Sequence, residues 1–204
     1  MKPIMDKINW PTMDPFLRLK RMNIPAEGQL DMVLDTDTFN EVDDQFALCY
    51  SLLSPERLNV QAIYAAPFQN SHAKDAREGM EKSHAEILRL LATIPQMPAV
   101  PVFKGSTRFL KENGMAEAST AAQDLVERAL AQPDEKPLYV VAIGAITNVA
   151  CALLMEPEII RKICIIWLGG HAFSWPDTRE FNLYQDIPAV NVVLDSGCPL
   201  ILVP

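Results

Sequence analysis

The segment Asp35-Thr36-Asp37-Thr38-Phe39-Asn40-Glu41-Val42-Asp43-Asp44 holds four aspartates and one glutamate. Two like unit charges about 4 Å apart repel by roughly 4 kcal/mol at an effective dielectric of about 20. Carboxylates so dense therefore call for a compensating positive group, and a hard divalent cation held by oxygen ligands is the simplest one. Helix capping alone accounts for Asp43 and Asp44, which suit the positive end of a following helix, but not for five acids. The sharper reading makes Asp37 and Asp44 metal ligands, with Asp37 also placed to take a proton from an activated water. An all-oxygen set favours Ca²⁺ or Mg²⁺ over zinc.

Three further clusters carry polar chemistry. Gly144-Ala145-Ile146-Thr147-Asn148 turns from an apolar run into a helix. It lacks the lysine of a phosphate-cradling loop, so it is either a plain capped turn or, through a backbone carbonyl, a source of a calcium ligand. Arg179-Glu180-Phe181-Asn182 sets a carboxylate beside an amide, a pairing suited to hydroxyl groups that donate and accept at once, or else simply a solvated loop. His171 follows Gly169-Gly170 and is the histidine best placed to reach a site, whereas His72, His84 and His171 show no metal-ligand spacing. Trp167 reads as core, and Trp175, in a polar loop, as a candidate pocket wall.

These clusters need a frame. Apolar runs predict strands over 31–35, 58–65, 100–103, 138–143, 163–168 and 200–203. Helical spacing predicts helices over 43–53, 73–92, 118–131, 149–155 and 188–195, with Met80, Ile87, Leu88 and Leu91 as the buried stripe of the longest. Alternating strands and helices indicate an α/β fold: an open, mostly parallel sheet flanked by helices, Rossmann-like in kind. In such sheets ligands sit beyond the carboxyl ends of the strands, where the acidic loop, Thr147-Asn148 and the Gly169-to-Asn182 loop all fall. Residues 1–30 read as an N-terminal extension with one short helical piece around Phe16 to Met22, and residues 31–204 as the α/β domain.

Composition narrows the partners. The formal net charge of -8 argues against nucleic acid, whose phosphates need a basic face. No apolar run approaches the roughly 20 residues of a membrane span, and no secretory leader pattern is visible. The cysteines Cys49, Cys151, Cys164 and Cys198 form no CxxC pair, and the first three lie in apolar contexts, as for buried reduced thiols of a cytoplasmic protein.

Taken in order, the motifs resemble the inosine–uridine-preferring nucleoside hydrolase family. The marker is Asp35-Thr36-Asp37…Asp43-Asp44 after a strand, joined by Gly144-Ala145-Ile146-Thr147-Asn148-Val149-Ala150, Leu168-Gly169-Gly170, and Glu180-Phe181-Asn182 followed by Asp186. The resemblance implies cleavage of the N-glycosidic bond of ribonucleosides to base and ribose, with bound Ca²⁺. It implies that Asp37, Asp44 and the Thr147 carbonyl hold the calcium and that Asp37 is the general base. Asp43, Asn70, Glu180, Asn182 and the Leu168 backbone would contact ribose. The family is commonly oligomeric, so a homo-oligomer is expected.

The chain departs from the family in two places. Its acidic loop is two residues longer than the commonest form, carrying Thr38-Phe39-Asn40-Glu41-Val42 instead of Pro-Gly and one more residue. Ser174 stands where family members carry an asparagine six residues before the glutamate. Family members also continue past the apolar run Leu200 to Val203, supplying a further aspartate ligand and, in many, a histidine that protonates the leaving base. The sequence is therefore read as a C-terminally truncated homologue with His171 as the substitute acid. Two alternatives stand beside it: a non-catalytic ribose- or nucleoside-binding module, and a subunit completed by a partner chain.

Overall fold

A computed structural model describes residues 8–94, 96, 98–113 and 115–204. Residues 1–7 of the expected extension lie outside this range.

Six strands form one sheet: β1 (Leu30–Thr36), β2 (Leu58–Ala65), β3 (Val102–Lys104), β4 (Leu138–Ala142), β5 (Ile163–Leu168) and β6 (Leu200–Val203). Their order is β3-β2-β1-β4-β5-β6, and every pairing is parallel. The expected open parallel α/β fold is what the chain adopts. Parallel strands need crossover connections, and here helices supply them. They are α2 (Val42–Leu52), α3 (Ala76–Thr93), α5 (Thr120–Ala131), α6 (Thr147–Met155) and α8 (Ile187–Asp195), with the short α4 (Leu110–Asn113) and α7 (Phe181–Gln185) beside them.

Side-chain alternation along β1 builds two cores. Met32 and Leu34 pack with Leu48, Leu52, Met80, Ile87 and Leu90 from α2 and α3. Val33 points the other way, into a cluster with Leu125, Val149, Leu153, Val190 and Val193 from α5, α6 and α8. The period of two in a strand makes this division automatic. α6 is apolar on all sides because it lies inside: every residue from Thr147 to Leu153 is buried.

Element boundaries moved for local reasons. α3 begins at Ala76, three residues later than its apolar pattern suggested, because Asp75 caps it by accepting from Glu78 N–H at 2.8 Å. Its buried stripe is Met80, Ile87 and Leu90, while Leu88 faces solvent. α1 (Pro15–Met22) forms where the extension was expected to turn helical, with Asp14 capping it, and Trp10 packs against the α5/α6/α8 core. Cys151, Cys164 and Cys198 are buried free thiols, whereas Cys49 is only half-buried.

The order of the strands decides where a ligand could sit. β1 has β2 on one side and β4 on the other, and chain direction across the sheet reverses between β1 and β4. A crevice opens at such a switch point, beyond the carboxyl ends of the strands.

Candidate functional site

The acidic loop leaves the end of β1 in that crevice. Asp35 and Thr36 are the last residues of β1, Asp37 follows immediately, and Asp43 and Asp44 lie in the first turn of α2. α2 is capped at Glu41 without a side-chain hydrogen bond, so the loop's acids are not consumed in capping. Thr36 Oγ1 shares a hydrogen bond of 2.8 Å with Thr38 Oγ1 and donates to Asp44 Oδ1. Asn148 at the start of α6 reaches across to donate to Asp35 Oδ1 at 2.7 Å, and accepts from Ser106 N–H at 2.8 Å.

These bonds leave a deficit. Both carboxylate oxygens of Asp37 are buried without a hydrogen-bond partner, as is Asp35 Oδ2. Burial, reinforced by Asp44 and then Asp35, pushes the Asp37 carboxyl well above the usual carboxylate range. The Asn40 side chain lies nearby and pulls slightly the other way. Asp44 is pushed up to about 7, chiefly by burial, against the opposing bond from Thr36. Asp35 also rises to about 7, again by burial first.

The carboxylates face a cavity of about 150 Å³ lined by Asp37, Asn40, Glu41, Asp43, Asp44, Ile143, Leu168, Glu180, Phe181 and Asn182. None of these is basic. Gly144 borders Asp37 so closely that a Cβ there would lie 3.0 Å from Asp37 Oδ1 and 3.1 Å from Ala66 Cβ. A larger groove of about 410 Å³ runs along β3 past His84, Lys104 and Asp124. There, however, the Asp124 carboxylate is already engaged by Tyr64 and Arg128.

The far wall is built by α7. Glu180 caps this helix: Oε1 accepts from Asn182 N–H, and Oε2 from Leu183 N–H and Gly170 N–H, each at 2.8 Å. Gly170 sits at φ 79, a left-handed conformation that glycine adopts without steric cost. Asn182 Nδ2 donates to Leu168 O at 2.9 Å and to Ile143 O at 3.2 Å, tying the ends of β4 and β5 together.

The structure thus gathers Asp37, Asp43, Asp44, Leu168, Glu180 and Asn182 around one cavity. Other sequence candidates are not among the lining residues. Thr147 is buried at the first position of α6, its hydroxyl donating to Asp186 Oδ2 at 2.8 Å. Asn70 does not line the cavity. It donates to Asn40 Oδ1 at 2.6 Å. His171 stacks against Trp175 with ring centroids 5.3 Å apart, and its Nε2 lies 3.8 Å from Asp177 Oδ1. Neither ring is part of the cavity lining, and Trp175 is largely exposed.

Three contributors were given no role of their own by the sequence. Asn40 and Glu41 line the cavity from the lengthened part of the acidic loop. Asp186, completely buried, accepts from Leu110 N–H at 2.7 Å, Lys111 N–H at 3.0 Å and Thr147 Oγ1. It anchors the start of α6 and α8 to α4.

A cation fits the donor set in part. Two buried carboxylates with orphaned oxygens are hard ligands, yet no group of three or more His, Cys, Asp or Glu among the described residues is assembled to hold a metal by itself. Backbone, water or ligand oxygens would have to complete the shell.

Comparison with known proteins agrees with this architecture. The family model for inosine-uridine preferring nucleoside hydrolase matches residues 32–204. A pyrimidine-specific ribonucleoside hydrolase, RihA, of Salmonella dublin is 30% identical over 197 residues, covering 85% of this chain and 59% of its own length. Among solved structures, the plant nucleoside hydrolase PpNRh1 superposes with a TM-score of 0.66 at 24% identity, over 85% of this chain and 59% of that one. A purine-preferring ribonucleoside hydrolase from Gardnerella vaginalis gives 0.62 at 26% identity, over 84% and 60%. The chain thus spans about three fifths of the length of these relatives. With the family model matched from β1 through β6, the chain belongs to the inosine-uridine preferring nucleoside hydrolase family.

Proposed function

We propose that this chain binds Ca²⁺ through Asp37 and Asp44 and hydrolyses the N-glycosidic bond of ribonucleosides, releasing base and ribose. The observation that carries this reading is the pair of buried, partnerless Asp37 oxygens facing a cavity without a basic residue. The Thr147 carbonyl is a further candidate donor to the cation. When bound, calcium neutralises the carboxylates, orients sugar hydroxyls and lowers the pKa of water.

The chain's own residues do the rest. Asp37 takes a proton from the attacking water, whose oxygen bonds to the anomeric carbon as the C–N bond breaks and the base departs with the bonding electrons. Positive charge develops on the sugar in such a transition state, and the surrounding Glu41, Asp43 and Glu180 carboxylates stabilise it. Asn182 and the Leu168 backbone hold the sugar. A volume of about 150 Å³ suits a sugar ring better than the roughly 300–1,000 Å³ sites of drug-sized ligands. His171 lies outside this lining, so no leaving-group acid is assigned.

The relatives' names specify both pyrimidine and purine nucleosides, so the assay must use uridine and inosine. Calcium titration by calorimetry, with and without ribose, followed by release of reducing sugar, tests the proposal. Calcium binding strengthened by ribose supports it, and absence of calcium binding refutes it. Because the chain spans 59% of RihA, a second reading is ribose binding without turnover, alone or with a partner chain completing the site. Calcium-dependent ribose affinity with no sugar released would favour that reading. Light scattering tests the expected homo-oligomer. Among the described residues no helix is long and apolar enough to cross a membrane.

A further inference from the structure

Two side-chain amides face the cavity, and the hydrogen bonds behind them decide which end of each faces in. Asn182 spends its NH₂ on Leu168 O and Ile143 O at 2.9 and 3.2 Å, so its Oδ1 is the end left for a ligand. Asn40 is oriented by a longer chain. His72 N–H donates to Asn70 Oδ1 at 2.7 Å. A backbone N–H can only donate, so this bond identifies the oxygen end of Asn70. The other end of Asn70, its NH₂, donates to Asn40 Oδ1 at 2.6 Å. Asn40 thereby turns its own NH₂ into the cavity, on the side of the Asp37 carboxylate.

The geometry around both residues is fixed. Asn70 is held by paired backbone bonds with Ala73, at 3.1 and 3.3 Å, and Asn40 N–H donates to Asp37 O at 2.6 Å. Asn40 lines the cavity and Asn70 does not.

We propose that Asn40, from the inserted part of the acidic loop, is a sugar-recognition residue that donates to a ribose hydroxyl, and that Asn70 is a positioning residue that fixes Asn40 as a donor. Asn182 then supplies an acceptor and Asn40 a donor, matching hydroxyls that do both. The inference rests on the reading that this cavity takes the sugar.

The test is calorimetric titration of the calcium-loaded full chain with D-ribose, alongside calcium affinity measured without sugar. Asn40→Ala, compared at calcium concentrations that saturate each variant, should weaken ribose binding about tenfold, the worth of one neutral hydrogen bond. Asn40→Asp keeps the volume while removing the donor, and should weaken ribose binding at least as much.

The telling variant is Asn70→Asp. Its carboxylate still accepts from His72 N–H but cannot donate to Asn40, so the Asn40 amide turns its NH₂ away from the cavity. Ribose binding should fall about tenfold although residue 70 does not line the cavity, and the Asn40→Ala, Asn70→Asp double variant should bind no worse than Asn40→Ala alone. Wild-type protein that binds no ribose overturns the sugar reading and this inference together. Wild type that binds, with Asn40→Ala equal to it, overturns the role of Asn40 alone. An Asn70→Asp variant that binds like wild type while Asn40→Ala is impaired overturns the role of Asn70.

Discussion

Replacing Glu180 by glutamine separates two duties that meet in one side chain. Glu180 lines the cavity and also accepts three backbone N–H bonds, from Gly170, Asn182 and Leu183, all at 2.8 Å. Glutamine offers one acceptor oxygen in place of two. The amide will turn that oxygen to the position serving two donors, Gly170 and Leu183, and set its NH₂ against Asn182 N–H. One half-buried donor is then orphaned, at a cost of about 1 kcal/mol from the lower end of the usual range. The other two bonds lose their charged acceptor, at about 0.5 kcal/mol each. The sum, about 2 kcal/mol, corresponds to roughly 4–8 °C in a chain of this size.

The assay is thermal unfolding without calcium or sugar, followed by ribose titration with calcium present. A fall of several degrees together with weakened ribose binding is expected. An unfolding temperature within about 1 °C of wild type would refute the capping argument, because a half-buried Asn182 N–H left without its acceptor cannot be neutral. A large thermal loss with unchanged ribose affinity would instead remove Glu180 from the sugar site and leave it a cap alone.

Other perturbations probe the carboxylates and their supports. Asp35 and Asp44 each rise to about 7 from an ordinary 3.8, so between those values the folded protein binds more protons than the unfolded chain. Metal-free stability should therefore be greatest at or below pH 4 as regards these groups and decline towards pH 7. Calcium replaces the protons, so denaturant unfolding with calcium should show the decline flattened or reversed. Gly144→Ala sets a Cβ 3.0 Å from Asp37 Oδ1, and displacing that carboxylate by a few tenths of an ångström should lower calcium affinity several-fold with little change in fold, as calorimetry and circular dichroism would show. Asp186→Ala orphans Leu110 N–H, Lys111 N–H and the Thr147 hydroxyl in a fully buried position. It should cost about 3 kcal/mol or more in urea unfolding, and an unchanged midpoint would refute its role as anchor.

The fold was legible because its central strands are buried on both faces. β4 and β5 read as unbroken apolar runs, and a parallel interior strand has no polar face to alternate with. α7 was not legible. It is a five-residue helix, Phe-Asn-Leu-Tyr-Gln, too short for a helical period, and it exists because the Glu180 side chain caps it and bonds back to Gly170. The gathering of the acidic loop and Glu180 around one cavity followed from a rule of topology, that polar clusters at the carboxyl ends of parallel strands converge, whereas Leu168 was implied only by the family resemblance. Asn70 and Asn40 show where such rules stop. Both are asparagines beyond the ends of neighbouring strands, and residue type cannot say which reaches a ligand or with which end. The answer depends on a bond from His72 N–H to Asn70 and another from Asn70 to Asn40, joining segments 30 residues apart. An amide has no polarity of its own towards a ligand: its neighbours' spent hydrogen bonds confer it. The donor end of Asn40 is therefore as much a property of His72 as of Asn40, which is why substitution at position 70 should be felt by a sugar bound at Asn40.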